Sequence, residues 1–259
     1  MTSVEERIAE LRNLGAEGQL FHALPPIIYL DANSIVDLIR IGRFGDVLDI
    51  VPPYQGQPRF RVMKEVESEV VGVYVGKRFG TDQYVRNQLK HPNLIVEDPE
   101  IDEDIAGQIA TMRKRIADRS RVDAADYKDH RKKHLGEAAS IVYGSKVNPP
   151  SAFVSDDEIA ITFAYNELPN LFPLRSRVLL GGLLANGTDP LELWQNICDT
   201  RQCQVDVSSC WSDLKCPALS GNARKKGAYP REAESLSIML EKTCIDIATL
   251  KGHLERAQM

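Results

Sequence analysis

The stretch Pro25-Pro26-Ile27-Ile28-Tyr29-Leu30-Asp31-Ala32-Asn33-Ser34-Ile35-Val36-Asp37-Leu38-Ile39 decides how the chain is read. Four β-prone apolar residues run into a carboxylate, then into Asn and Ser, then into an apolar pattern at helical spacing. This reads as a short buried strand, a tight turn and a helix start. Asp31 then falls at the carboxyl end of a strand, the edge at which open α/β sheets bind ligands. A carboxylate in that place holds a metal ion, acts as a nucleophile or caps the helix.

The same pattern recurs downstream. Pro149-Pro150 lead into Ala152-Phe153-Val154, and that apolar run ends in Ser155-Asp156-Asp157. Between the two lie further elements: a second strand near Phe60 to Val62, helices over Met63–Val73 and Thr81–Leu89, and a third strand over Leu94–Val96. Asp102 to Arg119 carries Ile105, Ile109, Met112 and Ile116 at helical spacing, and a long helix is expected from about Ala124 to Tyr143. Helices over Glu158–Asn166, Arg177–Leu184 and Leu191–Ile197 follow. Strands separated by helices in this order predict an α/β fold, with a central parallel sheet in three α/β/α layers.

The ends of the chain read differently. Val4, Ile8, Leu11 and Leu14 place an amphipathic helix in an N-terminal extension, residues 1–24. The α/β domain spans 25–199, and 200–259 form a C-terminal loop and helical appendage whose helix runs from Glu232 to Ala257. Hydrophobic residues make up 43% of the 259, enough for a proper core. The net charge of −5 argues against a generally basic nucleic-acid coat, though not against a local basic groove. The charged first residues lack a signal-peptide stretch, and the most apolar window, Val178 to Ala185, is too short to span a bilayer. A cytoplasmic protein with no membrane partner is expected, and Cys198, Cys203, Cys210, Cys216 and Cys244 are therefore expected as thiols.

Acidic residues mark the chemistry. Besides Asp31, Glu65 and Glu69 lie one helical turn apart, and Glu137 interrupts the small apolar run Gly136-Glu137-Ala138-Ala139. Asp156 and Asp157 follow a strand, where either could cap the next helix. A carboxylate among Gly, Ala and Ile is costly unless something satisfies it. Several carboxylates gathered at one sheet edge repel one another unless a cation neutralises them, and hard ions such as Mg²⁺ and Mn²⁺ favour all-oxygen sites.

Asp31-Ala32-Asn33, Val66 with Glu69, Gly136-Glu137-Ala138 and Ser155-Asp156-Asp157 occur in the order and spacing of PIN-domain nucleases. Over about Ile27 to Ile197 the chain resembles that superfamily, which includes toxin ribonucleases. The resemblance implies a PIN-like fold and a metal-dependent endoribonuclease holding Mg²⁺ or Mn²⁺. It implies Asp31, Glu69, Glu137, Asp156 and Asp157 as catalytic acids, with Asp31, Glu137, Asp157 and Asp156 as metal ligands. Glu69 fits better than Glu65 because Val66 precedes it by three. Asn33 and Ser155 would be supporting polar groups. RNA is the implied substrate, with a toxin or defence role, an antitoxin or immunity protein as partner, and a homodimer as a compatible state.

Basic residues supply substrate contacts in this reading. Arg131, Lys132 and Lys133 lie on the expected long helix, Lys133 one turn from Glu137. Arg113, Lys114, Arg115, Arg119 and Arg121 add a second run, and Arg224, Lys225 and Lys226 a third. His130 and His134 read as surface residues. Two other functions fit parts of the pattern. One is a non-catalytic RNA- or protein-binding module on the same fold. The other is a haloacid-dehalogenase-like phosphatase with Asp31 as nucleophile, against which stands Asn33 in place of a second acid.

Overall fold

Each segment expected as a strand pairs in parallel with its neighbours in the computed structural model. The model describes residues 24–77, 82–119, 134–168 and 170–189, with isolated positions from 6 to 21 and from 192 to 248. Among these, β1 (Ile27–Leu30), β2 (Phe60–Met63), β3 (Leu94–Glu97), β4 (Ser151–Val154) and β5 (Leu171–Leu174) form one sheet in the order β3-β2-β1-β4-β5. All four pairings are parallel. The helices are α1 (Ala32–Arg40), α2 (Phe44–Ile50), α3 (Lys64–Lys77), α4 (Asp82–Gln88), α5 (Glu103–Arg119), α6 (Leu135–Lys146), α7 (Glu158–Glu167) and α8 (Ser176–Ala185). This is the α/β class expected, consistent with three α/β/α layers. No helix among the described residues is long and apolar enough to cross a membrane.

The chain divides into two compact units, one of residues 25–36 with 53–174, the other of 1–24, 37–52 and 175–259. The division falls inside the span 25–199 expected as a single domain. The first unit contains the whole sheet. Ile28, Tyr29, Leu30, Phe153 and Val154 are fully buried, which is why β1 and β4 read as apolar runs without alternation. In the second unit, α2 packs against α8, where a Cβ on Gly182 would run into the Phe21 ring and Ile50. Arg43 there pairs with Asp46 and Glu192.

Strand β5 is an addition to the expected strands, and Pro173 lies in the middle of it. Proline is excluded from central strands but tolerated at a sheet edge. Here the carbonyls of Asn170 and Leu174 accept from Ser151 and Ser155 of the β4 segment, so Pro173, between them in alternation, turns its missing N–H to the open side.

The other departure concerns the long helix expected from Ala124 to Tyr143. Helix α6 begins at Leu135, and His134 before it adopts φ 59°, ψ 10°. A left-handed residue ends a right-handed helix, so the run is not continuous. Residues 120–133 lie outside the described residues, as do nearly all of the expected terminal helices and the cysteines apart from Cys244, a buried free thiol.

Helix α6 owes its small residues to close approach on two sides. A Cβ on Gly136 would lie 2.7 Å from Val66 Cγ2 and 3.0 Å from the Val66 amide nitrogen on α3. One on Gly144 would meet Tyr29 and Leu171 of the sheet at 3.0 Å. The Gly144 carbonyl also accepts a 2.7 Å hydrogen bond from Ser151 Oγ. Gly136→Ala is expected to force α3 and α6 apart at a cost of about 1–3 kcal/mol, read as a fall in the melting temperature. An unchanged melting temperature would show that the crossing has slack.

Candidate functional site

The sheet reverses its order of growth at β1, with β2 and β3 on one side and β4 and β5 on the other. Such a switch point leaves a crevice at the carboxyl ends of the two strands beside it. Leu30 pairs with Val154 at the last register position, so Asp31 and Ser155 emerge side by side. The Asp31 amide donates to the Val154 carbonyl at 2.9 Å, and Ser155 Oγ donates to Asp31 Oδ2 at 3.3 Å. Asp31 is 4% exposed and Ser155 fully buried.

Three more carboxylates reach this edge. Glu137, 6% exposed, stands in the first turn of α6. Glu69 comes from α3, carried close by the Gly136–Val66 crossing. Asp157 opens α7, where its Oδ1 accepts from the Ile159 amide at 2.7 Å and the Ala160 amide at 3.2 Å. The Asp157 amide in turn donates to Ser155 Oγ at 3.1 Å. Asp157 is therefore a helix N-cap, a role that occupies one oxygen and leaves the other.

Electrostatics tie the four together. Burial first, then the charges of Glu137 and Glu69, and also that of Asp157, push Asp31 well above the usual carboxylate range. The Ala32 amide, bonding to the Asp31 carboxylate, pulls the other way. Glu137 is raised well above its ordinary value by burial, then by Asp157 and Glu69. Burial also raises Glu69, against the opposing influence of His134. Two buried acids that repel each other hold protons more tightly than free carboxylates do. Among the described residues no Lys or Arg acts on Asp31 or Glu137 to offset this.

The structure thus brings Asp31, Glu69, Glu137, Asp157 and Ser155 together. Glu69, rather than Glu65, is the α3 acid whose charge acts on Asp31 and Glu137. Asp156 is buried, but of the adjacent pair it is Asp157 whose charge raises both. Asn33 does not join the group. It is exposed on the first turn of α1, and the buried hydroxyl of that turn belongs to Ser34.

The basic groups need a larger revision. Arg131, Lys132 and Lys133 lie outside the described residues. The shared helical face proposed for Lys133 and Glu137 does not hold, because His134 breaks the helix between them. In the second run, Arg115 and Arg119 stack over the Phe163 ring at 4.7 and 4.2 Å from its centre. That is a packing role, worth about 0.5–1 kcal/mol each at partly exposed sites. The third run, at 224–226, also lies outside the described residues.

His134 is the site residue the sequence did not disclose. Expected on the surface, its side chain is only 13% exposed, with Nδ1 3.0 Å from Glu137 Oε2. Its spacing of three before a buried glutamate was the available signal, and an assumed continuous helix obscured it.

All these groups are oxygen donors apart from His134, a set that suits a hard divalent cation. As the side chains stand, no group of three or more His, Cys, Asp or Glu among the described residues is arranged to hold a metal ion. The donor chemistry fits such an ion, and the acids would have to rotate to converge on it. Comparison with protein-family models, curated proteins and solved structures finds no match.

Proposed function

We propose that the chain is a metal-dependent phosphodiester hydrolase of PIN type that cleaves RNA. The observation that supports this best is the meeting of four carboxylates from separate elements at the switch point of a parallel sheet. Two of them, Asp31 and Glu137, are buried, repel each other, and meet no Lys or Arg among the described residues. A fold spends stability on such an arrangement only where something other than packing is served.

In this reading Asp31, Glu137 and Asp157 would hold the ion with Asp156 as a further ligand, and Glu69 would complete the acidic wall. Held by these carboxylates, Mg²⁺ or Mn²⁺ would supply charge neutralisation and an activated water for attack on phosphorus near neutral pH. Ser155 keeps Asp31 in place through its hydroxyl, and Asp157 fixes the start of α7 while offering its second oxygen. RNA as substrate, a toxin or defence role, a neutralising antitoxin or immunity partner, homodimerisation and a cytoplasmic location follow from the resemblance to toxin-type PIN ribonucleases. Expression in a bacterial host, wild type beside Asp31→Asn, tests the role: growth arrest relieved by the substitution is the expected result.

Asp157 offers the sharpest separation of structure from chemistry. Asn caps a helix nearly as well as Asp. Asp157→Asn is expected to melt close to wild type yet lose Mn²⁺-dependent cleavage of labelled single-stranded RNA. Asp157→Ala loses the cap as well, at about 1 kcal/mol. Wild-type cleavage by Asp157→Asn would reduce Asp157 to a cap and remove it from the site.

A further inference from the structure

His134 sits where the chain enters α6, with its backbone in the left-handed region. That conformation costs an L-residue about 1–2 kcal/mol and persists only where the surroundings fix it. The ring does not repay this by capping the helix, since it makes no side-chain cap bond. It turns instead onto Glu137, one turn ahead, with Nδ1 3.0 Å from Oε2, the two side chains 13% and 7% exposed. With the carboxylate ionised, Nδ1–H donates to Oε2. This occupies one oxygen of Glu137 and leaves Oε1.

A carboxylate that binds a metal through one oxygen must have its plane fixed, and outer hydrogen bonds to the other oxygen provide that. We propose that His134 is a positioning residue that pins Glu137 Oε2 and so presents Oε1 to a divalent cation. The inference rests on the metal-dependent reading of the acidic site. It requires only the neutral ring with its proton on Nδ1. Neither a charge on the imidazole nor a proton transfer enters. Nor does His134 touch substrate, so it acts through Glu137 alone.

Two substitutions separate the hydrogen bond from the backbone. His134→Gly removes the ring and also the strain of the positive φ, so the metal-free protein should melt at or above the wild-type temperature. His134→Asn tolerates the left-handed region and places an amide nitrogen at the same remove from Cα as Nδ1. The measurement is titration of the full chain with Mn²⁺ alone, free Mn²⁺ being read by electron paramagnetic resonance, with metal-free melting alongside. His134→Gly is expected to weaken Mn²⁺ binding about 10-fold or more, the usual effect of losing an outer-shell partner. His134→Asn should stay much nearer wild type.

Wild-type affinity in His134→Gly would overturn the positioning role. So would His134→Asn binding as weakly as His134→Gly, because the δ-nitrogen bond would then not be the cause. A metal-free melting temperature that falls in step with the affinity would make His134 structural. Failure of the wild type to bind Mn²⁺ would overturn the metal-centre reading itself, and the positioning role with it.

Discussion

Asp31→Asn should cleave RNA roughly a thousandfold more slowly than wild type, about 4 kcal/mol of transition-state stabilisation, and yet melt at a higher temperature at pH 8 in the absence of metal. The two effects have one origin. Asp31 is held buried beside Glu137, Glu69 and Asp157, and its proton affinity is raised in consequence. In the unfolded chain the same carboxyl titrates near 4. Between that value and the raised native one, the folded protein keeps a proton that the unfolded chain has given up. Stability from this group therefore falls as pH rises through the window. Asn has the shape of Asp, keeps one acceptor oxygen for the donors around it, and carries no charge. Its advantage over wild type should be several degrees at pH 8, where 1 kcal/mol corresponds to about 2–4 °C for a chain near this size. Below pH 4 the advantage should vanish, because the carboxyl is then protonated in both states. Calorimetry across pH and a cleavage assay read both effects. A variant less stable than wild type at every pH would mean that the Asp31 charge is already compensated.

Mn²⁺ should raise the melting temperature of the wild type by about 5–10 °C at a concentration a hundred times its Kd, since binding to the folded state alone adds about 2.7 kcal/mol. The acids supply the reason. Each proton that Asp31 and Glu137 hold must leave before the ion can be bound, so the same added Mn²⁺ should stabilise more at pH 8 than at pH 5. Na⁺ at equal ionic strength should not substitute, because screening acts weakly on buried groups. The shift should disappear in the double variant Asp31→Asn, Glu137→Gln. An equal shift in that variant would place the ion elsewhere, and no shift in the wild type at millimolar Mn²⁺ would remove the metal from the proposal.

What could be read without coordinates followed burial. Strands β1 and β4 are covered on both faces, so Ile27–Leu30 and Ala152–Val154 are continuous apolar runs, and the acids that end them are conspicuous. Glu137 stands out because it falls in the small-residue run Gly136–Ser140 of α6, where the helix closely approaches Val66 of α3. Three features left no such trace. A single left-handed residue at His134 does not disturb the hydropathy of the residues around it, so the helix seemed to run on. A strand with Pro173 at its middle carries no strand signal, and it exists because its edge position makes the missing donor harmless. Arg115 and Arg119 counted as a basic patch, when the ring beneath them comes from α7, more than forty residues on. Each miss is a contact or a backbone angle that local pattern does not encode.

Pro173 has one more consequence. An unprotected edge strand is a template on which another chain can build, through alternating donors and acceptors. At the centre of β5 that alternation is interrupted, and a strand arriving on the open side finds a pyrrolidine ring where it needs an N–H. The sheet formed by the described residues is five strands wide and made of short apolar segments, the kind of edge on which a second copy can pair. Pro173 thus removes from this margin of the described sheet the central donor that a pairing strand would need.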